Sequence, residues 1–193
     1  MNPDIPKSVE LAYLDTETTG LEPAAGHRIC EIAIVRTQNG KVVNQFSSLV
    51  NPGRSIPSWA QQIHGITDEM VREAPYFGDI AMKVNSILDG AFLVAHNAAF
   101  DVGFLDSEFS KARLPAPQTE IIDTLKIARK YYDFPSNSLE DIAKKLGIDT
   151  AGNHRALADV MITKRVFEYF LLDLGKRKFD IAAGAHDLKF KSV

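Results

Sequence analysis

The 193-residue sequence contains only one cysteine, Cys30, so no disulfide can form within the chain. Disulfides are characteristic of oxidising compartments, and their exclusion fits a protein of the reducing cytoplasm. Cys30 lies in the apolar run 29–35, where a free cysteine behaves as a small hydrophobic residue. We therefore expect Cys30 to be a core residue rather than a nucleophile.

Long hydrophobic runs and a strong charge bias are also missing. No apolar stretch reaches the roughly 18 residues that suggest a membrane span, and no N-terminal segment resembles a signal peptide. We therefore expect a cytoplasmic protein with no membrane partner. The net charge of −3 argues against coating nucleic acid by bulk electrostatics. This charge is still compatible with an enzyme that binds a few phosphates through metal ions.

The composition predicts one globular domain with a short tail. Hydrophobic residues make up 45% of the chain and charged residues 24%, as is ordinary for soluble domains, and the length suits one well-buried core. We expect a single domain over residues 1–175. Residues 176–193 carry five basic and two acidic residues with little periodicity, so this basic C-terminal tail is a surface segment, a partner-binding arm or a weak nucleic-acid contact.

A pair of acidic residues closes the first predicted strand. The apolar run from Val9 to Leu14 indicates a buried strand, and Gly20 supplies a turn signal after it. Side chains two apart on a strand share a face, so Asp15 and Glu17 project together. Two carboxylates about 4 Å apart repel by roughly 4 kcal/mol at an effective dielectric of about 20. Either a cation relieves this repulsion, or the pair is a solvated strand end.

The remaining pattern predicts a mixed α/β fold. Residues 29–35 and 42–50 are β-prone and are joined by the hairpin signal Asn39-Gly40, so three strands form an antiparallel meander. Residues 91–95 read as a strand that a crossover makes parallel to the first. Flanking helices are predicted over residues 58–64, 76–88, 97–112, 123–132, 138–147 and 154–172, with Ser58, Asn97, Asp123 and Ser138 as caps.

Two later motifs carry further candidate residues. Asp101 lies in the first turn of the helix after the second parallel strand, where an acid also complements the helix dipole. His154 and Asp159 open the last helix, offset by roughly 140° and one and a half turns. Taken alone, His154 would be a cap-region residue and Asp159 a solvated acid. Both can border one site if His154 sits at the ragged start of the helix.

Together the motifs identify a family. Asp-x-Glu at 15–17, His-Asn-x-x-Phe-Asp at 96–101 and His-x-Ala-x-x-Asp at 154–159 resemble, in order and spacing, the DEDDh 3′→5′ exonucleases. The resemblance covers residues 9 to about 172. Residues 28–32, 64–66 and 101–110 also match the proofreading epsilon subunits of bacterial DNA polymerase III, which belong to this family. The resemblance implies an RNase H-like fold.

The resemblance also implies a chemistry and its residues. Four carboxylates without a basic partner must bind hard cations or take up protons, and all-oxygen ligands favour Mg²⁺ or Mn²⁺ over zinc. By resemblance, Asp15, Glu17 and Asp159 hold one of two divalent ions, and Asp15 with Asp101 holds or positions the other. His154 would be the general base, a task suited to an imidazole. The expected reaction is hydrolysis from the 3′ end with release of nucleoside 5′-monophosphates.

The same resemblance assigns a pocket for the terminal nucleotide to Thr18, Leu21, His64 and Phe100. Apolar and aromatic groups stack on any base without reading it, which suits a proofreader. Leu21 and Phe100 could instead be core residues, and His64 could satisfy backbone groups at the end of its short helix. Trp59 departs from the acidic residue expected there in the proofreading subunits, which puts sugar contacts on that side in doubt.

Three functions remain open from the sequence. The first is a polymerase-associated proofreading exonuclease acting on single-stranded or frayed 3′ ends of DNA. The second is a stand-alone member of the same family that trims DNA or RNA ends. The third is a catalytically idle domain that binds nucleic acid or a polymerase, which the complete set of candidate catalytic residues disfavours.

Overall fold

The computed structural model describes residues 9–152 and 154–176, with Lys176 described by its backbone alone. The predicted basic tail therefore lies outside the described residues from position 177 onward. The strands form one five-stranded sheet in the order β3-β2-β1-β4-β5. They are β1 (Glu10–Thr18), β2 (Ile29–Gln38), β3 (Lys41–Leu49), β4 (Phe92–Ala95) and β5 (Ile121–Asp123).

The pairing of these strands confirms the predicted mixed α/β fold. β1 pairs antiparallel with β2, and β2 antiparallel with β3, which gives the predicted meander. β4 pairs parallel with β1, as the crossover argument required. The β2–β3 hairpin turns at Asn39 and Gly40, with φ of 54° and 72°. Positive φ at both positions is the geometry of a type I′ turn, which matches the right-handed twist of the strands.

Seven α-helices connect and cover the strands of the described chain. They are α1 (Ser58–His64), α2 (Asp68–Val71), α3 (Phe77–Leu88), α4 (Ala98–Lys111), α5 (Thr124–Tyr131), α6 (Leu139–Lys145) and α7 (Ala156–Lys176). Asp123 caps α5 by accepting hydrogen bonds from Leu125 N and Lys126 N, and Ser138 caps α6 by accepting one from Asp141 N, as predicted. In this described part, no helix combines the length and apolarity needed to cross a membrane.

The sheet separates two hydrophobic cores. Leu11 and Tyr13 of β1 point to one face, where they pack with α7 residues such as Val166. Ala12 and Leu14 point to the other face, where they pack with residues of α3 and α4. This alternation follows from the two-residue period of a strand. Because of this alternation, consecutive polar side chains at the end of β1 point toward different helices.

Three predicted helix starts were wrong in detail. Ser58 is the first residue of α1 rather than its cap, and the Gln61 side chain donates to Ile56 O instead of closing a capping box. Asn97 precedes α4 in a left-handed conformation, with φ of 65°, and its side chain makes no cap hydrogen bond. The last helix begins at Ala156, two residues after His154, and extends four residues beyond the predicted end at position 172.

Candidate active site

Three carboxylates meet at the carboxyl end of β1. Asp15 and Glu17 share the face of the sheet that α7 covers, and Asp159 comes from the first turn of α7. One carboxylate oxygen from each residue lies within 4.8 Å of the others. The strand period therefore places the predicted acidic pair on one side, and the last helix supplies the third acid.

The crowding of these acids changes their proton affinity. Burial raises the pKa of Asp15 well above its usual range, and the charges of Asp101, Asp159 and Glu17 raise it further. Burial and the Asp159 charge likewise raise the pKa of Glu17 to about 8. Without a cation, such a cluster retains protons near neutral pH. A bound cation would allow the same groups to ionise.

Asp101 approaches the cluster from the opposite face of the sheet. It lies in the first turn of α4, is 3% exposed, and accepts a 2.8 Å hydrogen bond from the hydroxyl of Thr16. Burial raises the pKa of Asp101 to about 7, although the Thr16 hydroxyl lowers it. Thr16 stands between Asp15 and Glu17, so it points away from them toward α4. Acidic side chains therefore lie on both faces of the sheet at the end of β1.

His154 and Asp159 are joined through the backbone at the start of α7. His154 N donates a 2.8 Å hydrogen bond to Asp159 Oδ2. Burial raises the pKa of Asp159, and this hydrogen bond lowers it. His154 is exposed and has a φ of 63°, so it lies in a left-handed turn outside the helix. This turn places the backbone of His154 against Asp159, one of the three acids of the cluster.

Glu31 anchors the start of α7, and sequence reasoning missed it. This buried glutamate on β2 lies opposite Glu17 in the strand register. Its carboxylate accepts hydrogen bonds from Arg155 Nη2 at 2.6 Å and Nε at 3.0 Å, and from Ala156 N at 3.0 Å. The available signal was a single acid inside the apolar run 29–35. Such a residue is buried only with a partner.

A pocket of about 120 Å³ opens beside Glu17. All four residues predicted for the terminal nucleotide line it, namely Thr18, Leu21, His64 and Phe100. Leu21 is 70% exposed and is therefore not a core residue. Phe100 is partly buried against Phe104, with ring centroids 5.0 Å apart, so one part of its ring belongs to the core. Trp59 and Ile63 also line the pocket.

His64 lines the pocket and also satisfies a backbone group. Its Nδ1 accepts a hydrogen bond from Ile66 N at 3.0 Å, which satisfies a backbone group just after α1. Its Nε2 lies 3.9 Å from the sulfur of Cys30, and the ring borders the pocket. Burial lowers the pKa of His64, which favours the neutral ring. Cys30 is fully buried, as predicted, and burial raises the pKa of its thiol.

The acidic cluster fits a hard divalent cation. Its ligands are carboxylate oxygens, which suit Mg²⁺ or Mn²⁺ better than zinc. The guanidinium of Arg155, the residue just before α7, is already bound to Glu31. A cation would therefore relieve the mutual repulsion of Asp15, Glu17 and Asp159 that raises their proton affinity.

A mixed five-stranded sheet with acids from β1, α4 and α7 at one strand end defines an RNase H-like nuclease domain. The chain belongs to the DEDDh 3′→5′ exonucleases, because the family described as "Exonuclease" matches residues 13–167. This confirms the family predicted from the motifs.

Curated relatives agree with this assignment. The chain is 37% identical to DNA polymerase III subunit epsilon of Escherichia coli over 165 residues, which covers 80% of this chain and 68% of that protein. It is 40% identical to the Pasteurella multocida epsilon subunit, covering 80% of this chain and 65% of the relative. It is also 37% identical to the 3′-5′ exonuclease DinG of Bacillus subtilis, covering 80% of this chain but only 17% of that longer protein.

Solved structures show the same fold. Exonuclease X in complex with 5′ overhanging duplex DNA superposes with a TM-score of 0.70 at 33% identity, covering 86% of this chain and 93% of that one. The nuclease domain of 3′hExo, a DEDDh family member bound to rAMP, superposes with a TM-score of 0.74 at 23% identity, covering 85% and 92%. At that lower identity the second likeness concerns the fold alone.

Proposed function

We propose that this protein removes nucleotides from the 3′ end of single-stranded or frayed DNA and releases nucleoside 5′-monophosphates. One observation carries the proposal: Glu17 belongs both to the three-carboxylate cluster and to the lining of the adjacent pocket. A nucleotide end seated in the pocket would therefore place its phosphate at the acids. An internal stretch of a strand would have to fold into the pocket to reach them.

In this proposal Asp15, Glu17 and Asp159 hold one divalent cation, and Asp15 with Asp101 holds or positions a second. When bound, Mg²⁺ or Mn²⁺ would neutralise charge on the phosphate and promote ionisation of water. Thr16 keeps Asp101 in place through its hydroxyl. Glu31 fixes the start of α7 and so sets the position of Asp159.

Binding of the nucleotide and transfer of the proton are carried out by the protein's own side chains. The pocket holds the terminal nucleotide, so that its phosphate faces the site. The imidazole of His154 takes a proton from the attacking water as the new bond to phosphorus forms. The bond from phosphorus to the 3′ oxygen of the preceding nucleotide breaks, and that oxygen is then protonated by solvent. The released nucleotide retains a 5′-phosphate.

Two physiological settings are compatible with this reaction. Identity of 37–40% to epsilon subunits supports a proofreading exonuclease that works with a replicative polymerase. The likeness to Exonuclease X, whose structure holds duplex DNA and is covered to 93% by this chain, supports the alternative of a stand-alone exonuclease acting on DNA ends. Trimming of RNA ends stays a further alternative. We favour the first because the epsilon subunits show the higher identity.

A time course on matched single-stranded DNA and RNA oligonucleotides, each labelled at the 5′ end, tests the activity. With Mn²⁺ we expect a DNA ladder that shortens from the 3′ end, and no ladder with Asp15→Asn, which keeps the side-chain size and removes the charge. Preferential RNA trimming would favour RNA end-processing. Failure of the folded wild-type protein to shorten either strand would refute the proposal.

Co-purification tests the polymerase partner. The proofreading hypothesis predicts that the full chain is retained by the replicative polymerase of its own source, and that Asp15→Asn is retained equally well because docking does not need catalysis. A chain that shortens DNA but never co-purifies with that polymerase would be a stand-alone exonuclease.

A further inference from the structure

The side chain of Arg155 is bound to the protein along one edge only. Its Nε and Nη2 donate to the carboxylate of Glu31 at 3.0 Å and 2.6 Å. Within the part of the chain that the structure describes, no group accepts a hydrogen bond from Nη1, and the side chain is 46% exposed. A guanidinium carries five N–H donors in one plane. The donors of Nη1 are therefore left for an acceptor outside the protein.

The strand register places this guanidinium beside the acidic cluster. Glu31 on β2 lies directly opposite Glu17 on β1. Side chains at opposed positions share a face of the sheet, with Cβ atoms about 4.5–5.5 Å apart. Glu17 belongs to the three-carboxylate cluster and also lines the pocket. Burial raises the pKa of Glu17 and the positive charge of Arg155 lowers it, as expected for neighbours.

We propose that Arg155 is a further substrate-binding residue, whose Nη1 donates to a non-bridging oxygen of the phosphate of the 3′-terminal nucleotide. This inference rests on the proposed exonuclease function, which brings that phosphate to Asp15, Glu17 and Asp159. The guanidinium then has two partners at once. Glu31 fixes its plane, and the phosphate takes the remaining edge.

The physical basis is a donor that is held in place before the substrate arrives. Because Glu31 already fixes the guanidinium, little side-chain freedom is lost when the phosphate binds. Glu31 also offsets the charge of Arg155 at long range, so the contribution is a directed hydrogen bond rather than bulk attraction. A hydrogen bond between two ionised groups is about twice as strong as one between neutral groups. Lysine keeps the charge but lacks the planar fork that serves two partners.

A binding comparison with two single-stranded DNA oligonucleotides tests the contact. One strand is unmodified, and the other has an uncharged methylphosphonate as its 3′-terminal linkage. Every protein carries Asp15→Asn, so that the strands stay intact, and binding is followed by fluorescence anisotropy with Mn²⁺. We expect Arg155→Gln to weaken binding of the unmodified strand by about tenfold and of the modified strand by less than about threefold. Equal weakening of both strands would overturn the inference.

Two controls make this comparison specific. Arg28 Nε and Nη2 bind the buried carboxylate of Glu108 at 2.6 Å and 2.7 Å, so Arg28→Gln removes a similar pair elsewhere. It should change binding of both strands by the same factor. A third strand carries the methylphosphonate at the second linkage, and here Arg155→Gln should still cost about tenfold. If its effect disappears with the second linkage instead of the terminal one, the proposed contact is refuted.

Kinetics and metal binding separate substrate contact from a purely structural role. In the chain with Asp15 intact, Arg155→Gln should lower kcat/KM for DNA by about 10–100-fold, and Arg155→Lys should recover part of this loss. Mn²⁺ affinity, measured by calorimetry, should stay near wild type, because Ala156 N still holds Glu31 at the start of α7. A loss of Mn²⁺ affinity as large as the loss of kcat/KM would show that Arg155 acts only by holding Glu31.

The exonuclease function and the role of Arg155 fail in different ways. If wild type leaves every oligonucleotide intact, the exonuclease function fails, while the anisotropy comparison still reports whether Arg155 meets the terminal phosphate. If wild type shortens DNA but Arg155→Gln weakens both strands alike, the function stands and the role of Arg155 is refuted.

Discussion

At the scale of single residues, His154 combines an exposed imidazole with an unusual backbone. Its φ of 63° lies in the left-handed region, which Asn tolerates better than Ala or bulky residues do. Its N–H also holds Asp159. A substitution that tests the imidazole must therefore preserve the turn.

We predict that His154→Asn lowers kcat by about 10²–10⁴-fold, the range typical for loss of a general base. Mn²⁺ affinity, measured by calorimetry, should remain close to wild type, because the backbone contact to Asp159 does not involve the ring. A variant that binds the metal normally and retains full kcat would refute the role of the histidine.

The ring of His27 packs closely against Gly20, which lines the pocket. A Cβ on Gly20 would lie 2.1 Å from His27 Nδ1, far inside any normal contact distance. The His27 ring also lies 3.2 Å from the Thr19 hydroxyl, which accepts from Arg28 N. A methyl group at position 20 would therefore displace the His27 ring from its present place.

We predict that Gly20→Ala lowers the free energy of unfolding by about 1–3 kcal/mol, as overpacking does, and raises KM. Adding His27→Ala should restore part of both losses, because it removes the ring that the new methyl group meets. Urea unfolding of the two single variants and the double variant measures this coupling. Strictly additive losses would contradict the proposed clash.

The sequence was enough to predict which acidic residues form the site. It was not enough to predict which face of the sheet each of them approaches from. The two-residue period of a strand was enough to place Asp15 and Glu17 on one face. The hydrogen bond from Thr16 to Asp101 depends on how α4 packs against the other face, which no local pattern encodes. The commitment of His64 Nδ1 to Ile66 N is likewise a property of the folded turn.

At the scale of secondary-structure elements, the attachment of α7 to β2 determines the site. Glu31 binds the guanidinium of Arg155 and the first N–H of the helix, at Ala156. The same protein contains a matched pair elsewhere: buried Glu108 on α4 receives Arg28 Nε at 2.6 Å and Nη2 at 2.7 Å. The Glu31 pair fixes the start of α7, which carries Asp159, whereas the Glu108 pair joins α4 to the residue before β2.

We predict that Glu31→Gln weakens apparent Mn²⁺ affinity and lowers kcat/KM by about 10–100-fold, the usual effect of losing a residue that orients metal ligands. Glu108→Gln should lower stability but leave Mn²⁺ affinity near wild type. Calorimetry on both variants, with thermal unfolding as the measure of stability, separates the two effects. Equal losses of metal affinity would show that Glu31 acts only through general stability.

The predicted elements differ from the observed ones where tertiary contacts set the ends. β5 has only three residues, too few for a periodic signal, and exists because Ile121 and Asp123 pair with Leu93 and Ala95 of β4. α7 begins later than predicted because Glu31 takes the N–H of Ala156 and the chain at His154 is left-handed. The long apolar strands and the hairpin were predictable because each carries its own local signal.

At the scale of the whole molecule, the acids that serve the site oppose folding in the absence of metal. Burial and neighbouring charge raise the pKa of Glu17 from 4.5 to about 8 and that of Asp101 from 3.8 to about 7. Between those values the folded protein holds protons that the unfolded chain has lost. Linkage then requires the free energy of unfolding to fall as the pH rises through this window.

We predict that the metal-free protein, kept in chelator, has a lower Tm at about pH 8 than at about pH 5, and that Mn²⁺ reduces this difference. Glu17→Gln should flatten the metal-free profile, because it removes one of the raised groups, and should be more stable than wild type at the higher pH. A metal-free profile whose stability rises over this range by the same amount in both proteins would show that the buried acids do not oppose folding.

In the proposed reaction the site directs water at the phosphate of the 3′-terminal nucleotide. Degradation of single-stranded DNA in water labelled with heavy oxygen, followed by mass spectrometry of the products, shows which phosphorus atom the water attacks. We predict nucleoside 5′-monophosphates that carry one heavy oxygen from each cleavage, and no such products with Asp15→Asn. Nucleoside 3′-monophosphates, internal fragments, or undiminished release by Asp15→Asn would contradict it.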